Sequence, residues 1–208
     1  MTQLIEALSG WIVGLIEAGG YAAVALLMAI ESACIPLPSE IIMPFAGYLA
    51  SKGELTLWGV ALAGAIGCNL GSTLAYAVGS WGGRPFVEKW GKFVLVSAHD
   101  LDVAERFFAR FGSIAIFIGR LLPVVRTFIA LPAGFAQMSM WRFQLYTFVG
   151  SLIWCFALAY VGQLLGQQWD SNPAIKTAFH SADALIVGLV VLAIAWFVWS
   201  RLRQRKTS

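Results

Sequence analysis

Apolar residues run along this chain in long blocks, and the few interruptions by proline, glycine and charge define its elements. Residues 1–20 place Leu4, Ile5, Leu8, Trp11, Ile12, Leu15 and Ile16 at helical spacing, with Glu6 and Glu17 among the polar positions, which predicts an interfacial helix. Residues 21–30 are fully apolar. Glu31 follows, then Cys34-Ile35-Pro36-Leu37-Pro38-Ser39-Glu40, then a second apolar piece from Ile41 to Ala50. A helix needs about 20 residues to cross the hydrocarbon, and neither piece has them. Pro36 and Pro38 break the helix between the two. The pattern predicts a re-entrant hairpin: half-helix, broken tip, half-helix.

Leu55 to Gly79 is an uncharged run of 25 residues, long enough to span. With the hairpin it makes a first repeat over 21–79. Residues 80–110 carry Arg84, Glu88, Lys89, Lys92, Asp100, Asp102, Glu105, Arg106 and Arg110, the signature of a connection outside the bilayer. A second repeat covers 111–166. Its hairpin has Gly119-Arg120-Leu121-Leu122-Pro123-Val124-Val125-Arg126 at the tip and Pro132-Ala133-Gly134 in the second arm, with Pro123 and Pro132 expected as its breaks, and the run from Phe143 to Trp169 crosses. A last span is expected at 184–200, followed by Arg201, Arg203, Arg205 and Lys206.

The halves echo each other. Pro44-Phe45-Ala46-Gly47-Tyr48 resembles Pro132-Ala133-Gly134-Phe135. Trp58 precedes Gly67 by nine and Gly79 by twenty-one; Trp141 stands in the same relation to Gly150 and Gly162. A hairpin returns to its own side and the next span crosses once, so the second hairpin enters from the opposite face. The expected fold is an all-α integral membrane protein, with two inverted re-entrant hairpins facing each other and about three full spans. Many secondary transporters share this plan. Ten basic residues fall on one side, in the 80–110 connection, at Arg142 and at the C-terminus; Lys52 and Lys176 fall on the other. Cytoplasmic loops favour Lys and Arg, so the C-terminus is expected in the cytoplasm. The N-terminus then lies outside if residues 21–34 are half a hairpin, and inside if residues 1–30 cross.

Composition agrees. Of 208 residues, 59% are hydrophobic and 12% charged, against about 25% charged in soluble domains. A mean hydropathy of +0.77 in a 22.6 kDa chain cannot be hidden in a globule. The net charge of +3 is therefore placed by the membrane, and no nucleic-acid motif is visible. Met1 to Ser51 holds no Lys or Arg, so no cleaved secretory signal is expected. Cys34, Cys68 and Cys155 sit in apolar stretches at spacings that match no metal or redox pattern, and read as small apolar filler. His99 and His180 read as solvated. No metal or cofactor is expected.

The chemistry concentrates in four charges: Glu31 and Glu40 from one hairpin, Arg120 and Arg126 from the other. A charge in the bilayer costs about 2.5–3.5 kcal/mol on the mildest scale and marks a pathway or a paired site. Opposed tips bring the two signs together; one outcome is ion pairs that only lock the hairpins. The prolines also hold backbone groups open for a ligand. Arginine suits phosphate, because its planar fork donates two parallel hydrogen bonds and keeps its charge. Arg120 and Arg126 are thus candidates for binding phosphate. Glu31 and Glu40 are candidates for ion coupling or gating, by taking up a proton and freeing the arginines. Asn69, Ser72, Tyr76 and Tyr160 are candidates to line the path, although helix contacts and interfacial anchoring are the plainer roles.

These residues resemble the DedA family, also called the SNARE-associated or VTT-domain family. The resemblance rests on Glu31 with Pro36-Leu37-Pro38-Ser39-Glu40, on Ala46-Gly47-Tyr48-Leu49-Ala50, and on Gly119-Arg120-Leu121-Leu122-Pro123-Val124-Val125-Arg126-Thr127 followed by Ala133-Gly134. It covers roughly residues 20–165. It implies facing re-entrant hairpins, location in the bacterial inner membrane, and that Glu31, Glu40, Arg120 and Arg126 stand at the family's essential acids and arginines. Bacterial members include flippases that return undecaprenyl phosphate to the cytoplasmic face, and the Pro-x-Pro-Ser-Glu tip looks like that branch. The implied function is a lipid-phosphate flippase coupled to a proton or sodium gradient, with a polyprenyl phosphate or phospholipid as membrane partner; a homo-oligomer is compatible with it. The alternatives are a broader phosphatidylethanolamine-type flippase or scramblase, and a proton-coupled ion or drug exchanger. An enzyme is not expected, because neither histidine lies near a tip and no Ser-His-Asp set is present.

Overall fold

A computed structural model describes the backbone of residues 2–35, 37–94, 106–108, 110–122 and 125–166, and the side chains of these except 2–9 and 82–94. Every regular element there is helical: α1 (Thr2–Ser32), α2 (Ser39–Ser51), α3 (Leu57–Val94), α4 (Ile114–Arg120), α5 (Val125–Phe128), α6 (Ala130–Phe135) and α7 (Met140–Gly166). Pro36 and Pro123, both histidines, the expected span at 184–200 and the C-terminal basic residues lie outside the described residues.

The punctuation follows the residues. At Gly20 the backbone of α1 leaves helical geometry (φ 52°, ψ −130°), a conformation open to a residue without Cβ. After Ser32 the chain turns through Cys34 (φ 69°), and Pro38, extended at φ −78°, starts α2. Thr56 caps α3, its Oγ1 accepting from Gly59 N at 3.2 Å. Pro132 does not end a helix. It sits in the first turn of α6, and having no N–H to give to Phe128 four residues back, it marks the interruption at Ile129 between α5 and α6.

Among the described residues three helices are long and apolar enough to cross a membrane: Gly10–Ser32, Leu57–Trp81 and Met140–Gly166. The second and third coincide with the uncharged runs of the sequence. The first bridges the division drawn there at residue 20, where two helical segments of α1 meet at the non-helical Gly20. α3 also continues past Gly79 to Val94. At 1.5 Å per residue its 38 residues reach about 57 Å, so the charged start of the 80–110 connection is helical.

α1 packs on α3, α2 on α7, α6 on α3 and α4 on α7; α3 and α7 cross each other. Glycines permit the close approaches. A Cβ on Gly47 would overlap the Ala159 carbonyl, and one on Gly162 would overlap that of Pro44. In the other half Gly134 meets the Tyr76 carbonyl and Gly79 that of Leu131. The partners are three residues apart in all four helices (44 and 47, 159 and 162, 131 and 134, 76 and 79), and Tyr76 and Ala159 each lie 18 residues after the tryptophan that opens the echo. The sequence echo is thus a repeated contact, in which the second short arm of each half packs on the long helix of the other. Its register aligns Gly47 with Gly134 and so Pro44 with Leu131, one residue off the proline-to-proline match of the sequence comparison.

Large apolar side chains stay exposed in stripes, Trp58, Leu62, Ile66, Leu70, Leu74 and Val78 on α3 and Trp141, Leu145, Val149 and Ile153 on α7. Stripes of this extent are faces for lipid rather than water.

Candidate functional site

Both arginines are fully buried, Arg120 at 1% and Arg126 at 2% exposure, and so is Glu31 at 2%. Glu31 comes from the last turn of α1. Arg120 ends α4 and Arg126 lies in α5, and both guanidiniums are buried. Arg126 Nη2 donates to Glu31 Oε2 at 2.7 Å, a charge-assisted ion pair. Thr127 Oγ1 donates to the other carboxylate oxygen at 3.4 Å. Arg126 also contacts Cys68 Sγ at 3.7 Å, and its guanidinium lies over the Trp154 ring at 5.2 Å.

Arg120 is anchored differently. Its Nη1 donates to the Arg126 carbonyl at 2.9 Å and its Nη2 to Ser72 Oγ. Ser72 in turn donates to the Cys68 carbonyl at 2.5 Å. Arg120 thus holds the backbone that carries Arg126, and α3 holds Arg120. The charges do not cancel: two buried guanidiniums face one buried carboxylate, a formal excess of one positive charge. Arg120 Nε and Arg126 Nη1 are buried with no partner among the described residues. A buried charged donor left unpaired is expensive, and an anion is the natural complement.

The residues singled out in the sequence separate here. Glu31, Arg120, Arg126 and Ser72 come together. Glu40 is half-buried, accepts a hydrogen bond from Ser39 Oγ at 3.2 Å, and is in no ion pair among the described residues. Asn69 is half-buried in α3 and its Oδ1 has no partner. The Tyr76 hydroxyl donates to the Met138 carbonyl and its ring packs on Phe143 at 4.8 Å, so its contacts hold the connection into α7. Tyr160 is 46% exposed and stacks on Phe156, on the outer face. Cys68 was read as filler, yet touches Arg126. Thr127 was marked only as part of the Arg126-Thr127 motif, and Thr147, Ser151 and Trp154 went unmarked; the signal for Thr147 and Ser151 was two hydroxyls one turn apart in an otherwise apolar span. A cleft of about 430 Å³ lies elsewhere, at the Gly20 kink, lined by Glu17, Tyr21 and Glu54 among others.

Among known proteins, the VTT domain matches residues 37–164. The uncharacterized membrane protein YkoX of Bacillus subtilis is 37% identical over 89% of this chain and 80% of its own length. Undecaprenyl phosphate transporter A of the same organism is 33% identical over 97% of both chains. A Lactococcus lactis protein named alkaline phosphatase-like is 35% identical over 88% of each. No solved structure matches. With the domain matched over more than half its length and relatives aligned nearly end to end, the chain belongs to the VTT-domain family, also called DedA.

Proposed function

We propose that this chain is a flippase that carries undecaprenyl phosphate across the bacterial inner membrane for recycling, coupled to a proton or sodium gradient. The observation that carries the reading is the buried guanidinium pair, one carboxylate short of neutrality, with N–H groups unpaired. A phosphate monoester answers both the charge and the donors. The relative named undecaprenyl phosphate transporter A supports the choice of lipid.

In this reading α1 from residue 21 with α2, and α4 with α5 and α6, are inverted re-entrant hairpins whose tips meet inside the bilayer, and the C-terminus is cytoplasmic. Phosphate competes with Glu31 for Arg126. A proton or sodium ion taken up at Glu31 releases the arginine to the phosphate, and its departure lets the carboxylate reclaim Arg126 and expel the lipid. Glu40, half-buried nearby in the chain, is the second acid of the gate. Binding is the whole of the site's chemistry here. Hydrolysis, raised by the name of the Lactococcus relative, needs an activated nucleophile, whereas the Ser72 hydroxyl is engaged with Cys68 and Glu31 is tied to Arg126.

The test is headgroup translocation in proteoliposomes given labelled undecaprenyl phosphate and, separately, phosphatidylethanolamine, with and without pH and sodium gradients, beside Arg126→Ala. Gradient-dependent movement of the polyprenyl phosphate alone, lost in the variant, is expected. Equal, gradient-independent movement of both lipids replaces the reading with a scramblase, and release of inorganic phosphate replaces it with a hydrolase.

A further inference from the structure

α7 presents Thr147, Gly150, Ser151 and Trp154 on one face, at helical spacings of three, four and seven. Both arginines lie along this face. A Cβ on Gly150 would stand 2.8 Å from the Arg120 Cβ, so the glycine admits the Arg120 stem. One further turn along, the Arg126 guanidinium covers the Trp154 ring.

The hydroxyls here are unusual in what they do not bond. A serine or threonine buried in a helix ordinarily donates to the carbonyl four residues back. In α3 that happens twice, from Ser72 to Cys68 and from Thr73 to Asn69. In α7 Thr147 Oγ1 and Ser151 Oγ, at 0% and 3% residue exposure, have no partner among the described residues, and neither does Trp154 Nε1. Buried polar groups are almost always satisfied. Five donors therefore share this region unpaired: these three, Arg120 Nε and Arg126 Nη1.

We infer that Thr147 and Ser151, flanked by Trp154, form the second wall of the phosphate site and donate hydrogen bonds to the bound headgroup. The inference rests on the lipid-phosphate reading and narrows its substrate class. A phosphate monoester offers three terminal oxygens, enough for the arginines and both hydroxyls. A phosphodiester headgroup offers two, and leaves part of the wall unpaired. The wall thus selects monoester over diester.

Purified full-length protein is tested by equilibrium binding of radiolabelled undecaprenyl phosphate, with phosphatidylglycerol as diester competitor. Thr147→Val and Ser151→Ala remove the hydroxyls at nearly constant volume. Each is expected to weaken monoester binding about tenfold, since hydrogen bonds to charged groups are the strong ones, and to weaken the diester's own binding less. Thr147→Ser, which keeps the hydroxyl, recovers most of the affinity lost in Thr147→Val, which separates a lost donor from a damaged fold. Unchanged monoester affinity in a monodisperse double variant, with Arg126→Ala still abolishing binding, overturns this inference and leaves the lipid-phosphate reading standing. A wild-type protein that prefers the diester sinks both.

Discussion

Glu31→Gln gives the sharpest test of how the buried pair works, because its two effects should run in opposite directions. The substitution keeps size and one acceptor oxygen but removes the charge that faces Arg126 at 2.7 Å. At that separation, with an effective dielectric near 20, the attraction is about 6 kcal/mol before desolvation is subtracted. Breaking a buried pair by neutralising one partner costs about 3–5 kcal/mol, because the other charge stays buried and uncompensated. For a chain of this length that corresponds to a Tm lower by roughly 6–20 °C. A purely structural ion pair predicts only this loss. If Glu31 instead competes with the substrate for Arg126, the variant frees the arginine, and affinity for undecaprenyl phosphate rises, by about tenfold for each 1.4 kcal/mol of lost competition. Translocation falls, because nothing reclaims the arginine. The assay is thermal unfolding with and without lipid, plus equilibrium binding. The ligand should raise Tm more in the variant than in the wild type. Lower stability with weaker or unchanged binding would refute the competition and leave Glu31 as a lock.

Two further outcomes follow from the packing. Gly47→Ala and Gly134→Ala place a methyl against a backbone carbonyl in equivalent contacts, so both should destabilise by similar amounts of about 1–3 kcal/mol, whereas Gly14→Ala meets open space and should leave Tm within a few degrees; thermal scans of the three variants check this, and a large difference between the first two breaks the equivalence of the halves. Tyr76→Phe removes a hydrogen bond worth about 1 kcal/mol while Tyr160→Phe alters an exposed ring, so translocation by both should persist; its loss in a Tyr76→Phe protein of near-normal Tm would restore Tyr76 to the path.

The long uncharged runs and the helix break between Ser32 and Ser39 were legible because membrane length and helix breaking act on local sequence. Glu31, Arg120 and Arg126 were legible because a charge in an apolar block is costly wherever it points. The pairing was not. Which acid meets which arginine depends on side-chain direction across separate elements, and Glu40 accepts from Ser39 while Glu31 takes Arg126. Tyr76 and Tyr160 show the same limit: both end the same sequence echo, yet one hydroxyl bonds Met138 and the other residue faces outward.

The scaffold repeats but its chemistry does not. In the register set by the glycine contacts, Ser39 and Glu40 stand where the second half has Arg126 and Thr127, while on the long helices Cys68 matches Ser151 and Ser72 matches Cys155. The matched contacts therefore carry different side chains in the two halves, an acid beside the position that holds an arginine in the other. Small thiols and hydroxyls alternate where α3 and α7 cross. Such residues let the helices approach while keeping weak polar groups beside the arginines. A symmetric site with acids at both tips would repel a phosphate, and one with arginines at both would leave more buried cations uncompensated. With Glu31 on one side and two arginines on the other, the site keeps one cation in excess. That asymmetry is the property the Glu31→Gln measurement reads.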